Sequence, residues 1–146
     1  MKNRDSITAR IARHDLFRTC SAKEREVAAK TFSEHRVTAG TTLMRQGGPA
    51  REFMAIVEGT VSIRRDGVEI AEVGPGGCIG EIALLDGGRR TATVVAESGL
   101  VVLVCGPREF ASMMASSPNF TRRVATQLAQ RVRDTETLQI GAIVAA

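Results

Sequence analysis

A glycine-rich segment followed by one acid and an arginine pair carries the clearest chemistry in the sequence. Gly80-Glu81 opens an apolar run at residues 82–85 that is long enough for about one helical turn. The first N–H groups of such a turn have no helical partners and carry partial positive charge, so they attract a small anion such as phosphate. Gly80 has no side chain to block that approach, and Arg90 offers the anion a planar fork of donors.

Glu81 adds a second kind of recognition beside the phosphate. A carboxylate at this place accepts a hydrogen bond from a sugar hydroxyl. A ligand that presents a phosphate and a ribose hydroxyl close together is a nucleotide monophosphate. Taken singly, Glu81 could be an acid in a first helical turn, and Arg90 could be a solvated surface residue. Their order and spacing together favour the ligand-binding interpretation.

The same segment resembles the phosphate-binding cassette of cyclic nucleotide-binding domains. This family includes the regulatory subunits of the cyclic AMP-dependent kinase, the bacterial catabolite activators and cyclic nucleotide-gated channels. The resemblance rests on two runs, Ile79-Gly80-Glu81-Ile82-Ala83-Leu84 and Arg90-Thr91-Ala92-Thr93-Val94. One position departs from the pattern, because Arg89 stands where many members have proline.

The resemblance implies a cyclic purine nucleotide, cAMP or cGMP, as the ligand, with no metal ion. Glu81 would hold the ribose 2′-hydroxyl and Arg90 would pair with the cyclic phosphate, while backbone amides complete the cradle. Thr91 does not distinguish between cAMP and cGMP as the ligand. Thr135 falls where a helix hydroxyl meets the base in the catabolite activators, which favours cAMP over cGMP because the hydroxyl accepts from the adenine amino group. The predicted ligand-binding residues are Gly80, Glu81, Ile82, Ala83, Arg90, Thr91, Ala92 and Thr135.

Short apolar runs alternate with turn residues through the middle of the chain. They predict strands at residues 41–44, 53–57, 61–63, 68–73, 91–96 and 100–104. Asp66-Gly67 is a strong hairpin signal between two of these runs. Many short strands at even spacing indicate a small sandwich or barrel. The predicted fold class is therefore α+β, an antiparallel β-roll (a small jelly-roll-like barrel) flanked by N-terminal and C-terminal helices.

The flanking segments have helical patterns. Residues 6–32 predict two helices, the second beginning at the capping box formed by Ser21 and Glu24. Pro107 and Pro118 begin two more. The last helix carries an apolar stripe, with four arginines off it, and we expect it to pack on the roll, to form a dimer seam, or to swing over the ligand as a lid. In that closed state Leu138 and Ile140 would pack on the purine. The residues of the apolar stripe are Phe120, Val124, Leu128 and Val132.

Length and composition fit one globular domain. The chain has 146 residues, 43% of them hydrophobic and 25% charged. We expect a single domain over residues 1–146, with N-terminal helices at 1–34, the β-roll at 35–105, the cassette at 74–94 within the roll, and hinge and lid helices at 106–146. No apolar run approaches the ~20 residues of a membrane span and no secretory signal is visible, so we expect a cytoplasmic protein.

The titratable side chains outside the cassette form no recognisable centre. Cys20, Cys78 and Cys105 are widely spaced and are expected to be free thiols. His14 and His35 are isolated, so we expect surface histidines and no metal site. The net charge of +4, from twenty basic and sixteen acidic side chains, suits an anionic ligand.

These observations predict a cyclic nucleotide sensor without catalytic activity, since no nucleophile–base pair or metal set accompanies Glu81. The signal would pass through the C-terminal helix to a protein partner, a dimer mate or a fused effector domain. Two alternatives remain open: a partner-binding module, or a fragment of a DNA regulator of the catabolite activator type, each with a weak or degenerate pocket. No recognition helix follows Val132, so at most weak DNA binding is expected.

Overall fold

The computed structural model describes the backbone of residues 2–145 and the side chains of residues 7–134. The helices there are α1 (Lys2–Arg13), α2 (Ala22–Thr31), α3 (Glu81–Asp86), α4 (Pro107–Ser116) and α5 (Pro118–Ala145), with a 3₁₀ turn at Asp15–Phe17. The strands are β1 (Ser33–Val37), β2 (Thr42–Met44), β3 (Phe53–Glu58), β4 (Val61–Arg65), β5 (Val68–Val73), β6 (Cys78–Ile79), β7 (Thr93–Ala96) and β8 (Leu100–Cys105).

The strands form two antiparallel sheets of four strands each. Their orders are β1-β8-β3-β6 and β2-β7-β4-β5. Aliphatic side chains from both sheets make one buried cluster, which includes Ile56, Val94 and Val102. The predicted hairpin joins β4 to β5, and Asp66 (φ 53°) and Gly67 (φ 80°) both take the left-handed backbone that a two-residue turn of this kind requires. The prediction of a β-roll flanked by helices is confirmed.

A second core fixes the helices against the first sheet, and it uses all five phenylalanines of the chain. Phe17 and Phe120 stack with their ring centroids 5.4 Å apart, and Phe53 lies 4.6 Å from Phe110. Aromatic pairs at these spacings contribute about 0.5–1.5 kcal/mol beyond the area that they bury. This core therefore holds the beginning of α5 firmly against the N-terminal helices and β3.

Glu24 ties α2 to the corner between α4 and α5. It completes the predicted capping box, since Ser21 N donates to its Oε1 at 2.9 Å and Glu24 N donates to Ser21 Oγ at 3.1 Å. It also accepts hydrogen bonds from Ser117 Oγ and, at 2.9 Å, from Asn119 Nδ2. Hydrogen bonds from Ser117, Ser21 and Asn119 lower the pKa of Glu24 to about 2.

The sequence analysis did not predict two of the strands, β1 and β6. β1 has the sequence Ser-Glu-His-Arg-Val, which lacks the apolar alternation of a half-buried strand, yet it pairs with β8 at the edge of the first sheet. β6 has only two residues, Cys78 and Ile79, and pairs with β3 inside the segment assigned to the cassette. Both are short strands that their neighbours in the sheet stabilise.

The expectation that His14 is a surface residue is wrong. The side chain is 5% exposed, and its Nδ1 accepts a hydrogen bond from Leu16 N at 3.1 Å. The proton therefore lies on Nε2, which donates to the Ile56 carbonyl at 3.0 Å. His14 thus ties the 3₁₀ turn to β3 as a neutral ring, while His35 is exposed.

Acid is expected to destabilise the fold through His14. Burial lowers the pKa of His14, and the smaller raising effects of the Ile56 carbonyl and the Asp15 charge do not offset it. Below about pH 6.5 the unfolded chain therefore binds more protons than the folded chain, and the free energy of unfolding falls. Thermal melts from about pH 7.5 to 5 should show a shallower dependence in His14→Gln, which keeps an N–H donor but does not titrate. Equal slopes would contradict this role of His14.

Candidate functional site

A cavity of about 840 Å³ lies between the cassette segment, β5 and α5. Its size fits a small-molecule ligand, since such pockets commonly measure ~300–1,000 Å³. Thr135, the remaining predicted site residue, lies outside the described side chains, as do Leu138 and Ile140. The predicted residues that line the cavity are Gly80, Glu81, Ile82, Ala83, Arg90, Thr91 and Ala92.

Gly80 shapes the beginning of α3. Its φ is 91°, and a Cβ atom there would come within 2.6 Å of the Glu52 carbonyl oxygen and 2.8 Å of Arg90 Nη1. Only glycine fits both the backbone conformation and the space. Gly80 also provides no side-chain cap, so the unpaired amides of the first turn stay open to the cavity.

Arg90 is held in place by four hydrogen bonds to backbone groups. Its own N–H donates to the Gly48 carbonyl and its carbonyl accepts from Gly47 N, both at 2.9 Å. Its guanidinium donates from Nη1 to the Gly80 carbonyl at 2.9 Å and from Nη2 to the Glu52 carbonyl at 2.6 Å. Since a guanidinium has five N–H donors, three remain for an anion beside α3. The side chain is 7% exposed, so this charge faces the cavity with little competing water.

Arg89 has a different role from its neighbour. It is exposed, and its Nη1 donates to the Gly47 carbonyl at 2.9 Å. Arg89 thus contacts the loop at Gly47, which Arg90 also contacts, but it does so from outside the cavity.

Glu81 is the most deeply buried acid of the described chain, at 1% exposure. Its Oε1 accepts a hydrogen bond from Arg131 Nη1, while Oε2 is buried without a hydrogen-bond partner among the described residues. Burial raises the pKa of Glu81, although the positive charges of Arg131 and Arg90 act in the opposite direction. A buried carboxylate oxygen without a hydrogen-bond partner has lost its hydration without compensation, and a donor in the cavity would offset that cost.

Arg131 is the site residue that sequence analysis missed. It projects from α5 and donates to the Cys78 carbonyl as well as to Glu81. The sequence placed it among four arginines that lie off the apolar stripe, and it was not predicted as a ligand-binding residue. The stripe itself is only half buried, because Phe120 and Val124 are enclosed but Val132 is 52% exposed beside the cavity.

The walls that β5 and α5 contribute to the cavity combine apolar and charged side chains. Ile70, Val73, Leu128 and Val132 are the apolar ones, and Glu69, Glu72 and Asp134 are acidic. Thr91 is exposed, and Arg65 Nε donates to its carbonyl at 3.1 Å. The apolar side chains suit a flat aromatic group, while the α3 side of the cavity suits an anion and a hydroxyl.

The remaining described side chains offer no competing centre. Residues 7–134 contain no cluster of three His, Cys, Asp or Glu side chains that could hold a metal ion. The three cysteines are free and buried, and burial raises the pKa of each thiol. None of the described helices is long and apolar enough to cross a membrane.

Comparison with known proteins identifies the family of this chain. The family model described as "Cyclic nucleotide-binding domain" matches residues 34–117. The chain is 32% identical over 112 residues to the Pycsar effector protein XpPycTIR of Xanthomonas perforans, covering 76% of this chain and 36% of that protein.

Two solved structures share the fold. The catabolite activator protein of Thermus thermophilus superposes with a TM-score of 0.75 at 26% identity, covering 89% of this chain and 63% of that one. A cAMP-binding acyltransferase from Mycobacterium smegmatis gives a TM-score of 0.76 at 30% identity, covering 92% and 43%. The chain thus spans well under two thirds of the length of the curated relatives that it matches first.

Proposed function

Because this chain belongs to the cyclic nucleotide-binding domain family, we propose that it is a sensor domain that binds a cyclic purine nucleotide in the cavity beside α3. One observation carries the proposal. Among the described residues, one oxygen of the buried Glu81 carboxylate has no hydrogen-bond partner, and it lies next to the Gly80 turn that Arg90 holds. A carboxylate acceptor next to an arginine donor is the pair of contacts that a ribose hydroxyl and a phosphate need.

The phosphate contacts follow from Arg90 and α3. Arg90, Ile82, Ala83 and Ala92 all line the cavity, so the remaining guanidinium donors and these backbone amides would together surround a phosphate there. Charge-assisted hydrogen bonds of this kind are short and strong. A cyclic phosphate carries one negative charge, which this cradle balances without a metal ion.

The ribose contact involves Glu81 and Arg131 together. Arg131 binds Oε1, so the 2′-hydroxyl is free to donate to Oε2, and both interactions exist at once. The positive charge of Arg131 also favours the ionised carboxylate, which is the better acceptor. Ligand binding is thereby coupled to the docking of α5.

For the base, we propose adenine rather than guanine. Thr135 follows Arg131 by one helical turn, where a hydroxyl can accept from the adenine amino group. Support also comes from the 30% identical acyltransferase of Mycobacterium smegmatis, which is cAMP-binding. The Thr135→Ala variant should then bind cAMP more weakly while its affinity for cGMP changes less.

The proposed output is regulatory. The described chain has no nucleophile–base pair near the cavity, so we propose that the domain has no catalytic activity. We also propose that it acts in the cytoplasm. Binding would change the docking of α5, and the change would pass to a protein partner, a dimer mate or a fused effector domain. That several relatives are much longer supports the last of these.

A second candidate is a DNA regulator or partner-binding fragment with a weak pocket. We expect only weak, salt-sensitive DNA binding, because the net charge is +4 and no recognition helix is present among the described residues. A mobility-shift assay at ~0.2 M salt should show no sequence-dependent complex. A sequence-dependent shift at that salt concentration would favour this second candidate.

Calorimetry and thermal melts with matched ligands test the proposal. We expect cAMP to bind and to stabilise the fold by about 2.7 kcal/mol at a hundred times its Kd. The analogue 2′-deoxy-cAMP lacks the hydroxyl and should bind roughly tenfold more weakly to the wild type. Glu81→Gln should reduce this difference between the two ligands. If neither cAMP nor cGMP binds, the proposed function is wrong.

A further inference from the structure

Of the described part of α5, residues 118–134, the first turns are the ones that the core holds. Phe120 and Val124 are fully buried among the phenylalanines, whereas Leu128 is half-buried and Val132 is exposed. A swing of the whole helix about Pro118 would withdraw two buried side chains from that core, which loses a large apolar contact area. A ligand-driven movement is therefore easiest beyond the point where the core contacts end.

Gln127 lies at that point and joins three elements. Its Nε2 donates to Asp15 Oδ2 at 3.1 Å and to the Gly76 carbonyl at 2.8 Å. Arg123, one helical turn earlier, donates to the same Asp15 oxygen at 2.5 Å. Gly76 belongs to the turn that leads into β6, so a single amide connects α5, the 3₁₀ turn and the leading segment of the cassette.

Arg131 follows Gln127 by one further turn. Arg131 donates hydrogen bonds to Glu81 and to the carbonyl of Cys78. Cys78 follows Gly76 by two residues. The Gln127 bond to Gly76 and the Arg131 bond to Cys78 thus follow one another along α5 and along the segment that leads into β6. Fixing Gln127 fixes the height at which Arg131 meets Glu81.

We propose that Gln127 is a positioning residue for the ligand site, which holds α5 against Asp15 and Gly76 so that Arg131 reaches Glu81. The ligand-responsive part of α5 then begins at residue 128, with Gln127 as its fixed end. The anchor is a property of the fold alone, whereas its effect on affinity rests on the proposed function.

Hydrogen exchange of the ligand-free protein tests the anchor directly. In Gln127→Ala we expect amides of residues 128–134 to exchange about five- to tenfold faster, while residues 119–125 keep their protection. Gln130→Ala is the matched control, because its amide binds only Asp134 of the same helix and reaches no other element in the described chain. Unchanged exchange of residues 128–134 in Gln127→Ala would overturn the proposal, whether or not any ligand binds.

Calorimetry with cAMP tests the effect on the site. Gln127→Ala should weaken binding about five- to tenfold and Gln130→Ala by less than about twofold. Gln127→Glu should be at least as weak as the alanine variant, because it places a carboxylate against Asp15 and the Gly76 carbonyl. Faster exchange with unchanged affinity would overturn the positioning role. If the wild type binds neither cAMP nor cGMP, the proposed function fails, and the exchange result still decides the anchor.

Discussion

Replacement of Arg90 by alanine is expected to weaken cyclic nucleotide binding about a hundredfold. In the proposed complex the guanidinium would make charge-assisted hydrogen bonds to the cyclic phosphate, and losing them would remove ~2–3 kcal/mol of binding free energy. Its low exposure strengthens the effect, since water cannot replace the lost donors easily. Isothermal titration with cAMP, wild type against Arg90→Ala, measures the ratio of dissociation constants.

Two further variants separate this contact from folding and from general charge. Arg90→Lys keeps the positive charge but loses the planar fork, so it should bind more tightly than Arg90→Ala and more weakly than the wild type. Arg89→Ala removes a neighbouring arginine whose guanidinium donates to the Gly47 carbonyl, and its affinity should stay within about threefold of the wild type. Wild-type affinity in Arg90→Ala, with an intact thermal transition, would remove Arg90 from the ligand site.

That Gly80, Glu81 and Arg90 lie around one cavity could be predicted because the signals for it are close together in the sequence. The glycine turn, the acid and the arginine lie within eleven residues, from Gly80 to Arg90, and the left-handed φ of Gly80 is a conformation that the sequence can signal by itself. The hairpin at Asp66-Gly67 and the capping box at Ser21 were predictable for the same reason. Each depends on chemistry within a few residues.

The missed features depend on contacts between distant residues. Arg131 meets Glu81 across fifty residues of sequence, and nothing in the pattern of α5 distinguishes it from the exposed Arg122. His14 is buried because the Ile56 carbonyl lies opposite its ring. The polar strand β1 forms because β8 supplies its hydrogen-bond partners. Helical and strand periodicity cannot reveal such partners, because it reports only how a segment faces its surroundings.

Removal of the Arg131 side chain is expected to affect both stability and ligand binding. In Arg131→Ala the Glu81 carboxylate would stay buried without its counter-charge, which destabilises the fold by up to about 3 kcal/mol at neutral pH. The pKa of Glu81, which burial already raises, would rise further, because the opposing positive charge of Arg131 would be gone. Because a folded-state pKa above the unfolded value favours the fold in acid, the deficit should shrink as the pH falls.

Affinity should respond to pH in the opposite sense, and a double-mutant cycle isolates the cause. The ribose hydroxyl donates best to an ionised carboxylate, so Arg131→Ala should bind cAMP about tenfold more weakly at pH 7 and recover part of that loss as the pH rises. Glu81→Gln combined with Arg131→Ala should weaken binding no more than the worse single variant, which gives a coupling energy of about 1–2 kcal/mol between the two positions. Arg122→Ala, an exposed arginine on the same helix, should match the wild type at every pH. Additive losses in the double variant would mean that Arg131 acts on the ligand independently of Glu81, and the coupling of α5 to the ribose site would have to be abandoned.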